Sequence, residues 1–179
     1  HHNKKVGAIT LLSVEKDENV SKLNEFSKLL SMHIASMKPK FLSYKELDKD
    51  FVAKERVAIA AELEKENEEL ARLKKPLHRI PEFVSRSELS ESVLKAKEEE
   101  LRATLKAEGK PEAIWDKIIP GQLDRFILDN TILDQRLTLL AQLYALDDKK
   151  TITQVLNEKS KELNDNIQVV SFINFELGE

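Results

Sequence analysis

The sequence predicts an α+β fold: a small antiparallel sheet packed with helices, with an inserted antiparallel helical hairpin that is coiled-coil-like. Three observations predict it. Apolar residues between Asn19 and Leu42 recur at steps of three and four, the period of one helix face. Two strand-like segments, 6–14 and 167–177, stand far apart in the chain. Between them lie charged segments with leucines in near-heptad spacing, which is typical of paired helices.

Composition excludes several classes of protein. The 179 residues include 34% charged and only 6% aromatic side chains, which favours solvated helices over a sandwich or barrel. The net charge of −3 disfavours direct nucleic-acid binding, because neutralising phosphates needs clustered Lys and Arg. The absence of cysteine excludes disulfides, a thiol nucleophile and Cys-ligated zinc.

Location is predicted from two further features. No apolar run approaches the roughly 20 residues that a membrane-spanning helix needs. No signal peptide is visible, which favours the cytoplasm. The chain starts abruptly near a strand, so we expect a piece of a longer protein, and His1-His2 is either native or the end of a tag.

The first strand and helix come early in the chain. Strand 6–14 has Ile9, Leu11 and Leu12 able to face a core. The helix face consists of Val20, Leu23, Phe26, Leu30, Ile34 and Met37. Lys38-Pro39 ends this helix, because proline donates no backbone hydrogen bond and disfavours a helical residue before it.

Met32 is an apolar residue on the charged side of this helix. At about 100° per residue it falls nearly opposite Leu30, flanked by Lys28 and Glu25, with Leu29 on the shoulder. Either another part of the chain covers Met32, or it belongs to a partner-binding face, since methionine suits adaptable surfaces.

Capping boxes predict where later helices begin. They are SYKE at 43–46, opening a helix to about Lys75; SRSE at 85–88, opening one to Glu108; and TITQ at 151–154, opening one to about Leu163. A helix with a break near Pro120-Gly121 lies between the last two of these. The structure of 131–146 stays open, although Leu137, Leu140, Ala141 and Tyr144 fit a short helix, and 147–150 is a turn. The predicted domains are a core of 1–43 with 129–179 and a helical insertion, 44–128.

Chemical motifs are missing from the sequence. Four glycines cannot supply a phosphate-binding loop, and the four histidines lack metal-ligand spacing. Neighbouring carboxylates lie on predicted solvated helix faces. We therefore predict no catalytic residues, no metal, no cofactor and no enzyme activity, and favour a binding module.

Five segments resemble bacterial elongation factor Ts. They are KVGAI at 5–9, MHIASMKPKFL at 32–42, GKPE at 109–112, KTI at 150–152 and FINFELGE at 172–179, in the family's order and rough spacing. Asp50-Phe51-Val52 looks like a family signature that disturbs the nucleotide site, but it lies in the wrong place, so we interpret it as coincidence with Val52 packed in a helix.

The resemblance implies a guanine nucleotide exchange factor acting in translation, which promotes GDP release from elongation factor Tu. It implies that this chain is the C-terminal portion, which grips domain 3 of the GTPase and lacks the half that disturbs the nucleotide site. The insertion corresponds to the family's dimerisation or coiled-coil domain and is enlarged here.

The resemblance also implies partner-binding residues, namely His2, Lys28, Leu29 and Met32, with His33 adjacent. For His33, a hydrogen-bonded structural role and a contact role stay open. Contacts from the segment 137–146 cannot be transferred, because it is longer than its counterpart. The alternative function is a structural dimerisation module, in which Ile59, Leu63, Leu70 and Leu73 pair two chains.

Overall fold

The computed structural model describes residues 6–176 and confirms the α+β class. Its elements are, in chain order, β1 (Val6–Ser13), α1 (Asn24–Met37), α2 (Lys49–Arg72), α3 (Glu91–Ala107), α4 (Trp115–Asp129), α5 (Ile132–Leu137), β2 (Leu143–Tyr144), β3 (Asp147–Thr151), α6 (Ile152–Leu163) and β4 (Gln168–Glu176). In this described range, no helix is both long and apolar enough to cross a membrane.

The chain divides into two compact units. The first consists of the chain up to Glu46 together with the chain from Gln135 onwards, and the second is Leu47–Asp134. The second unit is thus an insertion between the two parts of the first.

Two antiparallel strand pairs lie in the first unit. Strand β1 pairs with β4, and Ile9 lies opposite Ile173. The register shifts between Leu11 and Leu12, because Leu11 lies opposite Ser171 and Leu12 lies opposite Val169, which leaves Val170 of β4 as the extra residue. Strands β2 and β3 form a short hairpin across 145–146, so the prediction of a turn at 147–150 is wrong.

The core of the first unit forms where α1 packs on the β1–β4 sheet. Its buried members are Leu23, Phe26, Leu30, Ile34, Leu139, Tyr144, Ile152, Leu156, Ile167 and Val169. The stripe of α1 accounts for the first four, as its period predicts. The two outermost members of the predicted face are exposed: Val20, which lies before α1, is 54% exposed, and Met37, the last residue of α1, is 45% exposed.

The other face of the β1–β4 sheet is apolar and open in the described part of the chain. Ile9, Leu11, Ile173 and Phe175 each expose more than half of their surface. The expectation that Ile9 and Leu11 face the core is therefore wrong. Alternation in a strand sends neighbours to opposite faces, and here the core takes Ala8 and Leu12.

One of the three capping boxes opens its helix. Thr151 accepts a hydrogen bond from the amide of Gln154 (3.3 Å), and the Gln154 side chain accepts one from the Thr151 amide (2.8 Å), so α6 begins as predicted. Helix α2 instead starts after Asp48, whose carboxylate caps it, and α3 starts after Ser90.

The box at Ser85 fails for a physical reason. Its Glu88 carboxylate accepts a hydrogen bond from the amide of Val84 (2.9 Å) and pairs with Arg56 (3.1 Å). Since that carboxylate is engaged elsewhere, it does not return to the Ser85 amide, and Ser85 caps only a single 3₁₀ turn. The capping motif is thus overridden by a contact with α2.

The segment after α5 is not the predicted helix. Leu139 donates its amide hydrogen bond to the carbonyl of Phe41 (2.9 Å), and Leu140 donates to that of Leu42 (3.1 Å). Because these two amides donate to the carbonyls of 41–42, they do not continue the hydrogen bonds of α5. The helix therefore ends at Leu137, and the chain continues into β2.

In the second unit, α3 packs against α4. Leu105, Trp115 and Ile119 form its buried cluster, and the indole of Trp115 donates to the carbonyl of Lys110 (3.0 Å). Helix α4 runs through Pro120 without interruption, so the predicted break does not occur.

The near-heptad residues of α2 are buried over the first part of the helix. Val52, Ile59 and Leu63 are at most 7% exposed. Farther along, Leu73 is 63% exposed and Leu77 is 58% exposed. The coiled-coil pairing of this helix stays a prediction.

Candidate partner-binding surface

Helix α1 carries the residues that the sequence singles out. Two short 3₁₀ turns lead into it, and it ends where Lys38 adopts a left-handed conformation (φ 47°) and donates to the Ile34 carbonyl at 2.9 Å. Pro39 follows and is buried. The left-handed Lys38 and the proline after it end the helix at a defined residue, so α1 includes every candidate residue from Lys28 to His33.

The candidate surface is the side of α1 that carries Lys28, Leu29 and Met32. Lys28 is exposed, Leu29 is half-buried, and Met32 is 45% exposed. Ser31 lies beside Met32, and its hydroxyl is 2.9 Å from that of Thr10 on β1, so this turn of the helix is tied to the sheet. In the described part of the chain, Met32 is not covered.

His33 is buried rather than exposed. Only 2% of its surface is accessible, and both ring nitrogens have partners in the segment around β2. The Ala145 amide donates to Nδ1 (3.2 Å), and Nε2 lies 3.0 Å from Oε1 of Gln142. Because a backbone amide can only donate, Nδ1 is unprotonated, and the proton on Nε2 is donated to Gln142. We call these two hydrogen bonds the His33 bridge.

Burial holds the pKa of His33 below its usual value of 6.5, while the hydrogen bond to Gln142 acts in the opposite direction. The ring also lies against Tyr144, with centroids 5.9 Å apart. This environment favours the neutral imidazole, in agreement with its hydrogen bonds. These contacts fit the hydrogen-bonded structural role of His33. A direct contact between His33 and the partner stays a prediction, and any effect of this buried side chain on binding would come from the segments that it holds in place.

His2, also predicted to bind the partner, lies outside the described residues. Lys28, Leu29 and Met32 share one side of α1, and His33 points inward from the same helix.

The β2–β3 hairpin, which the sequence does not predict, also belongs to this region. Leu146 is 64% exposed and Leu143 is 37% exposed, while Gln142 and Tyr144 are buried. Since Ala145 is bonded to His33, the hairpin tip is joined to the helix that carries Met32. Gln142 is buried while Leu143 is exposed, the reverse of what hydropathy predicts, so the sequence carries no local pattern that indicates this strand.

The described residues contain no group of three or more metal-binding side chains close enough to share an ion. The arrangement instead offers apolar side chains on a rigid helix and a tethered hairpin, which suits binding to another protein.

Comparison with known proteins identifies relatives along the whole chain. The family model described as Elongation factor TS matches residues 1–80 and 78–179. Proteins named Elongation factor Ts are similar to this chain over all 179 residues: that of Wolinella succinogenes is 61% identical, that of Campylobacter curvus 59% and that of Helicobacter hepaticus 58%. The chain spans about half the length of these relatives, 50–51%.

Proposed function

This chain belongs to the elongation factor Ts family, and on that premise we propose that it binds elongation factor Tu and takes part in releasing GDP from it. In this proposal the chain binds domain 3 of the GTPase. No covalent chemistry is needed: a factor that binds a distorted, nucleotide-poor conformation more tightly than the GDP-bound one lowers the affinity for GDP by the same coupling free energy.

The observation that carries the proposal is the exposure of Met32. A methionine opposite the buried stripe of α1 leaves 45% of its surface accessible, beside the half-buried Leu29 and the exposed Lys28. An adaptable apolar side chain within a charged surround is typical of a protein interface. Its helix is held against the sheet, so the side chain is presented without a large ordering cost.

The test is calorimetric binding of the chain to elongation factor Tu, with Met32→Glu beside the unaltered chain. A carboxylate buried at the interface would lose its hydration without a partner, so we expect Met32→Glu to weaken binding at least about tenfold. At an exposed site the same change alters the stability of the chain by only about 0.5 kcal/mol.

Met37→Glu is the matched control. Met37 lies on the same helix, exposes the same 45% of its surface and receives the same charge. Five residues later in a helix, at about 100° per residue, it points roughly 140° away from Met32. Binding weakened equally by both changes would place the contact elsewhere, and no binding by the unaltered chain would overturn the proposal.

Release of GDP is the second readout. The chain covers about half of its relatives, and the resemblance attributes disturbance of the nucleotide site to the other half. We therefore expect the chain alone to bind the GTPase while accelerating the release of a fluorescent GDP analogue poorly. Release as fast as with a full-length relative would contradict this division of labour.

A further inference from the structure

The His33 bridge spans a short, well-defined piece of chain. Gln142 immediately precedes β2 and Ala145 immediately follows it, so one imidazole ring holds both ends of that strand. His33 is 2% exposed and Gln142 is 1% exposed, which removes water as a competing partner for either group.

Further contacts fix Gln142 in place. Its backbone carbonyl accepts from the amide of Ile152 (3.0 Å), where α6 begins, and its own amide donates to Leu139 (3.2 Å). The side chain of Gln142 is therefore presented to His33 from a backbone held on both sides. The β2–β3 hairpin has its tip at 145–146, and Ala145 and Leu146 are exposed there.

The hydrogen bonds require a neutral ring. Protonation would place an N–H group on Nδ1 directly against the N–H of Ala145, replacing an attraction by a repulsion. The charged and titratable groups near the ring offer no compensation in the described contacts: Tyr144 is the titratable neighbour, and burial raises its pKa above 10.0, so its hydroxyl is neutral near pH 6.

Building on the proposed function, we propose that His33 and Gln142 are positioning residues that hold the exposed hairpin tip, 145–146, beside the candidate surface of α1 and thereby complete the binding surface for elongation factor Tu. The hairpin is held while His33 is neutral and is released when the ring takes a second proton. Binding therefore weakens in mild acid.

The direction of the pH effect follows from burial. The pKa of His33 is lowered from 6.5 in the folded chain, so the unfolded or released state binds the proton more readily. The bridge loses stability as the pH falls below 6.5 and toward the lower pKa of the folded state. Above that window it is fully formed and contributes no pH dependence.

The experiment compares the pH dependence of binding in the unaltered chain and in His33→Asn. The amide oxygen of Asn stands near the place of Nδ1, so it can accept from Ala145 without titrating. Calorimetry with elongation factor Tu between about pH 7.5 and pH 5.5 gives both curves. We expect the unaltered chain to lose roughly five- to tenfold in affinity relative to His33→Asn, the effect of about one hydrogen bond.

The comparison removes the pH dependence of the partner, which is common to both curves.

Gln142→Glu tests the same bridge by shifting its pH dependence in the other direction. A carboxylate beside Nε2 favours the imidazolium, so the loss of affinity moves to higher pH. His33→Gln keeps a group near Nε2 but loses the acceptor for Ala145, and we expect weak binding at every pH.

Circular dichroism confirms that each variant is folded, and the NMR shifts of the Ala145 amide and the His33 ring report the bridge directly. Identical pH profiles for the unaltered chain and His33→Asn overturn the positioning role while leaving the proposed function intact. An Ala145 amide that does not shift as His33 titrates also overturns it. Absence of binding by every variant at every pH overturns both.

Discussion

At the scale of single residues, Asp165 joins the segment that follows β1 to the segment that precedes β4, at one end of the β1–β4 sheet. Its carboxylate accepts from the amides of Glu15 (2.9 Å) and Lys16 (3.2 Å) after β1, and from the side chain of Asn19 (2.8 Å). These donors, the Asn19 amide above all, lower the pKa of Asp165 to about 2. Donors aimed at a carboxylate favour its ionised form, so the ionised group stabilises the fold.

We predict that Asp165→Asn lowers the urea midpoint at neutral pH and that the difference from the unaltered chain narrows in acid. The folded pKa lies below the usual value of 3.8, so this stabilisation is present above 3.8 and is lost as the pH falls through about 2. Urea titrations at about pH 7 and pH 3 measure the two differences.

Asp148→Asn is the control for this prediction. Asp148 is an exposed carboxylate on β3, and its replacement also removes one negative charge. An equal loss of stability in both variants would attribute the effect to net charge, whereas a loss confined to Asp165→Asn supports the role of its hydrogen bonds.

The partners of single residues divide into those that the sequence predicts and those that it cannot. The exposure of Met32 follows from its angle on a helix and needs only local periodicity. The hydrogen-bond partners of His33 cannot be predicted in this way, because Gln142 lies 109 residues away. Their hydrogen bond forms only when the fold brings α1 and β2 together. Periodicity carries no information about such contacts.

At the scale of elements, the same distinction separates accurate predictions from wrong ones. The box at Thr151 is satisfied by atoms three residues apart, and α6 begins where it predicts. The box at Ser85 fails because Glu88 is engaged by Val84 and by Arg56 of α2. Tertiary contacts override local capping preferences wherever they satisfy the same polar groups.

Gly7 is an element-scale constraint on the β1–β4 pair. It lies opposite Phe175, whose ring covers the place where a Cβ would stand, with Cε2 2.5 Å from that position. An aromatic ring over a glycine is a common cross-strand pair. Gly7→Ala would therefore displace the ring, which is 53% exposed and can move toward solvent.

We predict unfavourable coupling between an alanine at position 7 and the ring of Phe175. In a double-mutant cycle with Phe175→Ala, Gly7→Ala should be about 0.5–1 kcal/mol less favourable when Phe175 is present. Urea denaturation of the four variants measures the coupling. A coupling near zero would mean that the ring moves away at no cost.

Gly121→Ala is the contrasting control. Gly121 lies inside α4, and a Cβ there would meet nothing within 4 Å. Alanine is favoured over glycine in a helix interior, so we expect this change to stabilise the protein by roughly 0.5–1 kcal/mol. The two glycines thus have different physical reasons for their effects, one a neighbouring ring and the other backbone entropy.

At the scale of the whole chain, the sequence predicts the α+β class and the inserted helical segment but not the details of either strand pair. Strands 6–14 and 167–177 are visible because each is long and apolar. The β2–β3 hairpin escapes prediction because β2 has only two residues and depends on the pairing of Leu139 and Leu140 with 41–42. Short strands are specified by their partners more than by their own sequence.

The alternative function, dimerisation through the near-heptad residues of α2, gives the last prediction. Ile59 and Leu63 are 2% and 7% exposed within a single chain, so they are not available to a second one. Leu73 is 63% exposed and could still take part. We expect Leu73→Lys to leave the molar mass measured by light scattering unchanged, because the residues that would form the centre of such an interface are already buried.

Light scattering at several concentrations separates the two outcomes. Lysine at this exposed position just after α2 changes the stability of the chain by only about 0.5 kcal/mol, so any change in mass reports association rather than unfolding. A dimer mass that falls to that of one chain in Leu73→Lys would show that the end of α2 joins two chains. That result would favour the structural module, and it would require Ile59 and Leu63 to exchange their contacts within the chain for contacts between chains.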